Sequence, residues 1–169
     1  ALSVELDADT PWVLSQQTTT EEGGLDPALA LALRDLRKDW YGVFGIQPLV
    51  LGTYFPFTDW IHQGPHQELQ PPYPVPPANA TGTLVFLGDS SMLEQTLPAK
   101  ARSSVMAAVG HTPEAHGCFI IPPDPGPEGH AYTAVVCTGS DKLGAVYATY
   151  ELSGLLGIDP QAYWTEHEP

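Results

Sequence analysis

Basic side chains are scarce. The 169 residues include 6 Lys and Arg against 20 Asp and Glu, a formal net charge of -14. Nucleic acid and anionic membrane surfaces are held through Lys and Arg that neutralise phosphates, so this balance excludes both as expected partners. Long apolar runs are missing as well, and none approaches the ~20 residues that cross a bilayer. No apolar leader stands at the front, where Ala1 is followed by the polar run LSVELDADT. That start fits a cytosolic chain or a mature secreted one. A Gly-rich phosphate loop is also lacking, and no internal repeat or linker divides residues 1–169, so a single domain is expected. The hydrophobic fraction of 43% suffices to build its core.

Cysteine is almost absent, and the two present are placed tellingly. Cys118 and Cys137 sit in the apolar runs CFII and AVVC, separated by the turn-rich PPDPGPEGHAYT. An antiparallel hairpin with Ile121 opposite Ala134 puts Cys118 opposite Cys137, within reach of a disulfide. The alternative is two buried free thiols. Asn79-Ala80-Thr81 is an N-glycosylation sequon at the end of a proline-rich stretch. A disulfide and a glycan on Asn79 both point to a secreted, extracellular protein.

The elements follow from periodicity. ALSVEL and PWVLSQQTT read as short strands divided by the turn cluster DADTP. A helix follows, with Asp26 as cap, Pro27 at its first position and Gly45 closing it. Leu29, Leu33, Leu36, Trp40 and Phe44 form its apolar face, while Arg34, Arg37, Lys38 and Asp39 occupy the other. PLVLGTYF is a strand. Residues 55–80 are proline-rich and read as a surface loop or insertion. TGTLVFLG is a buried strand, and residues 91–109 a helix interrupted or restarted at Pro98. The cysteine hairpin comes next. The last helix, from about Asp141 to Leu156, is expected to bury Leu143, Val146, Tyr147, Tyr150 and Leu155 as one stripe. This order predicts an α/β (α+β) domain, a mixed sheet with about three helices packed on it.

Three motifs bear on chemistry. Val85–Ser91, VFLGDSS, resembles the nucleophile block of GDS-type esterases, but the only Asp-x-x-His, Asp59 to His62, precedes it. A strand-to-helix turn capped by Asp89 or Ser90 is the simpler reading. His62-x3-His66 has ligand-like spacing without an acidic partner between, and reads as surface histidines, so no metal is expected. At Gly139-Ser140-Asp141-Lys142, Ser140 or Asp141 can cap the following helix. Lys142 opposes the positive end of the helix dipole, so Ser140, Asp141 and Lys142 together form a candidate contact for a carboxylate or other anion, carbohydrate-borne or free.

The run VVCTGSDKLGAVYATYELSGLLGIDPQAYW resembles the N-terminal domain of glycoside hydrolase family 115, the xylan α-1,2-glucuronidases. Gly139, Ser140, Asp141, Lys142, Gly144, Tyr147, Tyr150, Leu152, Ser153, Gly157, Pro160 and Trp164 stand where that family has its Gly-Ser-Asp-Lys turn, its Tyr-rich helix and its closing Gly-x-x-Pro and aromatic cluster. Leu143 replaces the family's Arg and Ala148 its Gly. LALRDLRKDWYGVFGIQP is similar to the family's first helix, and TLVFLGDSS falls at its second strand. The resemblance implies a two-layer α/β domain like the accessory domain of hexosaminidases. The family's catalytic groups lie mainly in a following barrel of about 250 residues, so it implies no catalytic residue and no cofactor here. The expected role is a non-catalytic accessory domain of a secreted α-glucuronidase acting on glucuronoxylan, partnered by that barrel. The alternative is a stand-alone extracellular glycoprotein that self-associates in a wall, sheath or filament, or binds polysaccharide through aromatics such as Trp60, Tyr73 and Trp164.

Overall fold

Two runs, TLVFLGD and TAVVCTG, are apolar at nearly every position, which suits strands covered on both faces. In the computed structural model, which describes residues 3–14, 27–46, 50–51, 76, 79–93 and 96–157, they are the neighbouring parallel strands β3 (Thr83–Asp89) and β5 (Thr133–Gly139). With β1 (Trp12–Leu14), β2 (Val50–Leu51) and β4 (His116–Ile121) they make a five-stranded sheet of order β2-β1-β3-β5-β4. All neighbours are parallel except β4, which runs antiparallel to β5 at one edge. The mixed sheet with helices packed on it is as expected.

The helices are α1 (Pro27–Phe44), the single turn α2 (Ser90–Leu93), α3 (Ala99–Val109) and α4 (Lys142–Leu155). They divide between the two faces of the sheet. Val85, Leu87, Val135 and Cys137 pack with Leu29, Leu33, Leu36 and Trp40 of α1 and Ala145, Ala148 and Leu152 of α4. The alternate residues Leu84, Phe86, Ala134 and Val136 pack with Leu93, Leu97, Val105 and Val109 on the opposite side. The domain therefore has three layers, where the resemblance implied two. The reason lies in β3 and β5: neither has a polar face to leave in water, so each face needs helices.

Local chemistry explains the ends. Pro27 opens α1, where a missing N–H costs nothing, and Gly45, at φ +77°, closes it with its N–H on the Tyr41 carbonyl. Pro98 precedes α3, which restarts the chain after α2 as its position suggests. The α1 stripe is buried at Leu29, Leu33, Leu36 and Trp40, but Arg37 and Asp39, expected on the outer face, are buried too. Burial lowers the Arg37 pKa.

Two expectations need correction. Of the strand expected over ALSVEL, the described residues 3–6 alternate in exposure but pair with no strand among the described residues. Val4 and Leu6 pack against the α1/α4 core instead, and the turn after them is closed by Asp7 and Thr10: the Asp7 N–H donates to Thr10 Oγ1 at 3.0 Å and the Thr10 N–H to the Asp7 carbonyl at 3.1 Å. The α4 stripe is also misassigned. Its buried face consists of small residues, Gly144, Ala145, Ala148, Thr149 and Ser153 with Val146 and Leu152, whereas Leu143, Tyr147 and Leu155 are 40%, 41% and 66% exposed. A helix that lies this close to a sheet has no room for large side chains on its inner side. Asp26, most of the proline-rich stretch at 55–80, and residues 158–169 lie outside the described residues.

Candidate functional site at the β5–α4 junction

The hairpin register predicted from the cysteines is the one observed. Ile121 pairs with Ala134, Cys118 with Cys137, and the two cysteines form a disulfide with Cα atoms 4.1 Å apart. That spacing marks a non-hydrogen-bonded antiparallel pair, in which both residues turn their backbone groups away from each other. The Ser140 N–H donating to the Ala115 carbonyl at 2.9 Å fixes the same phase. Gly117, Phe119 and Ile121 therefore bond to β5, while the N–H and C=O groups of His116, Cys118 and Ile120 point to the outer edge.

At the end of β5 the chain turns through Ser140 into α4. Asp141 is the N-cap: its Oδ1 accepts the Gly144 N–H at 2.7 Å, and its Oδ2 accepts the Glu114 N–H at 3.1 Å. These two bonds, the first foremost, hold its carboxyl below the usual pKa. Glu114 takes a left-handed φ of +62° to make its contact. The Ser140 hydroxyl donates to the Thr112 carbonyl at 2.6 Å. Gly139 and Gly144 allow the backbones to touch: a Cβ on Gly139 would overlap Gly144, and one on Gly144 would lie 2.6 Å from the Ala115 oxygen. Ser140 and Asp141 are thus engaged in tying the 112–115 loop to the helix start. Lys142, exposed at the first position of α4, has no hydrogen bond or ion pair from its side chain among the described residues.

Beyond the junction a groove follows α4 alongside β4. At its upper end His116 and Tyr147 are in contact, ring centroids 5.4 Å apart, and with Tyr150, Glu151, Gly154 and Leu155 they line an open depression of about 620 Å³. The Tyr150 hydroxyl donates to Asp35 Oδ2 at 2.6 Å, and its pKa is raised by burial first and by Asp35 second. Leu155 also borders a second, apolar hollow of about 590 Å³, between β4, the C-terminal ends of α1 and α4, and the segment carrying Val4 and Leu6.

The chain matches no family model, and no curated protein matches it. The remaining predicted residues are placed as follows. Asn79 is exposed in a turn, with Thr81 also exposed. Asp89 is buried at the end of β3, directly before Ser90 of α2, and Gly88 beside it takes φ +143° and accepts the Thr138 hydroxyl at 2.7 Å. His62, His66, Trp60, Tyr73 and Trp164 fall outside the described residues. Among the described residues no group of three or more His, Cys, Asp or Glu could hold a metal ion, and no helix is long and apolar enough to cross a membrane. The groove itself was missed in the sequence because its large residues were assigned to the core. The small residues of α4, from Gly144 to Ser153, were the signal that could have placed them outside.

Proposed function

We propose that this chain is a non-catalytic accessory domain, of the kind found at the N-terminus of family 115 α-glucuronidases acting on glucuronoxylan, and that it is secreted. The observation that supports this best is the arrangement of α4. The stretch carrying the resemblance buries its small residues, uses Ser140 and Asp141 as fold contacts, and turns Leu143, Tyr147 and Leu155 outward. A helix that spends its turn chemistry on the fold and presents large apolar groups to the outside serves docking better than bond cleavage. The partner is the catalytic barrel, and Lys142 at the rim supplies a contact for an anionic group on it or on its polysaccharide. The disulfide and the exposed sequon at Asn79 fit an extracellular setting.

The test has two arms. Purified chain incubated with glucuronoxylan releases no 4-O-methylglucuronate; turnover by pure chain overturns the reading. Mixed with a separately produced family 115 barrel, it forms a complex by sedimentation that Leu143→Glu with Tyr147→Glu breaks. The accessible Asn79 also favours a second reading, a stand-alone extracellular glycoprotein that self-associates, which concentration-dependent light scattering of the glycosylated chain would reveal.

A further inference from the structure

We infer that the outer edge of β4 is a strand-addition site for an extended partner segment that alternates apolar and basic residues. The inference rests on the edge itself and is independent of any family reading. The N–H and C=O groups of His116, Cys118 and Ile120 point away from β5, and among the described residues no backbone hydrogen bond reaches them. The side chains of these same residues face the α4 side of the sheet. Cys118 joins the α1/α4 core, His116 touches Tyr147, and Ile120 borders the hollow near Val4 and Leu6. A strand laid about 4.8 Å outside β4 therefore finds a ladder to complete and, on one side, two depressions in line. The first is bounded by His116, Tyr147, Tyr150 and Leu155, the second by Cys118, Ile120 and Leu155. Successive residues of an added strand point to opposite faces, so every second side chain enters this line of depressions.

Charge selects the partner. Glu114 stands at the head of β4, Glu151 lines the first depression, and Glu5 and Asp7 flank Val4 and Leu6 at the far end; against these stands Lys142 at the start of α4. The whole chain carries -14. A second copy would bring the same acidic surface, whereas Lys or Arg at the positions that face α4 meets Glu151 and its acidic neighbours, and the intervening apolar residues lie beside Phe119 and Ile121 on the opposite face.

The experiment uses the full chain and a fluorescein-labelled peptide of sequence KVKIKVK, with the scrambled KKVVKIK and the acidic EVEIEVE as comparisons. By anisotropy the alternating basic peptide binds, and the other two bind at least about tenfold more weakly. Amide shifts on binding fall on His116–Ile121 and on the exposed face of α4. Ile120→Pro removes an N–H that β5 does not use, so the sheet keeps its ladder while peptide binding is lost; Ile120→Val keeps both. Gly154→Trp, placed where a Cβ meets nothing within 4 Å, fills the first depression and weakens binding without touching the strand. Equal affinity for the scrambled peptide, undiminished binding to both Ile120→Pro and Gly154→Trp, or shifts elsewhere would overturn the inference. So would a β4-paired homodimer in sedimentation, which makes a second copy the occupant.

Discussion

The same substitution at two places in α4 should have opposite signs. Gly144 and Gly154 both lie within the helix, where exchange of Gly for Ala gains about 1 kcal/mol of intrinsic helix propensity. At Gly154 a new Cβ meets nothing within 4 Å, so Gly154→Ala should stabilise the protein by about 0.5–1 kcal/mol. At Gly144 the new Cβ would lie 2.6 Å from the Ala115 oxygen and 3.0 Å from the Gly139 Cα. The oxygen cannot withdraw freely, because it accepts the Ser140 N–H at 2.9 Å. Forcing a methyl into such a contact costs about 1–3 kcal/mol, and loosening that hydrogen bond about 1 more. Net of the propensity gain, Gly144→Ala should destabilise by about 1–3 kcal/mol. Urea unfolding with an unchanged slope measures both variants against the parent. In a heating scan the two midpoints should separate by several degrees, at roughly 2–4 °C per kcal/mol for a chain of this size. If Gly144→Ala proves as stable as Gly154→Ala, the close approach of α4 to the 112–115 loop is wrong, and with it the account of why this turn contains two glycines.

Two further outcomes follow from the core. Reducing the Cys118–Cys137 bond, which closes a loop of sequence separation 19, should cost about 3 kcal/mol on the chain-entropy account, read as a lower urea midpoint with dithiothreitol than without. The Tyr132 phenol is pushed up to about 12 by burial, so its folded-state pKa exceeds the unfolded value of about 10. Its contribution is fully present below pH 10 and is lost as pH rises from about 10 to 12. Tyr132→Phe, which removes a buried hydroxyl with no hydrogen-bond partner among the described residues, should leave neutral-pH stability within about 1 kcal/mol and make the alkaline decline shallower.

The hairpin was legible because three signals agreed: two apolar runs of matching length, a turn-rich spacer and one cysteine in each run. The first helix was legible from Leu29, Leu33, Leu36 and Trp40, whose spacing leaves one solution, although Arg37 and Asp39 show that charge alone does not place a residue outside. For α4 the periodicity misled, since Leu143, Tyr147 and Leu155 share a face that looks like a core stripe. What decides their side is the distance of the helix from the sheet, set by Gly139 and Gly144 through backbone contact with each other and with Ala115. That is a relation between segments, and hydropathy along one segment does not contain it. The capping role at Ser140-Asp141 was readable in outline, with Asp141 as the residue that performs it. Its second bond, to Glu114, depends on a loop 27 residues earlier in the chain that periodicity cannot reach. The number of layers follows from β3 and β5 once they are seen to be parallel and adjacent, which the linear order of elements leaves open.

The bond between Cys118 and Cys137 also changes what a break in the chain means. Between them runs the turn from Pro122 to Tyr132, rich in proline and glycine and largely exposed. Peptide cleavage anywhere in that turn leaves two polypeptides that remain one covalent molecule. The edge strand stays anchored to its neighbour even after the connection that placed it there has been cut.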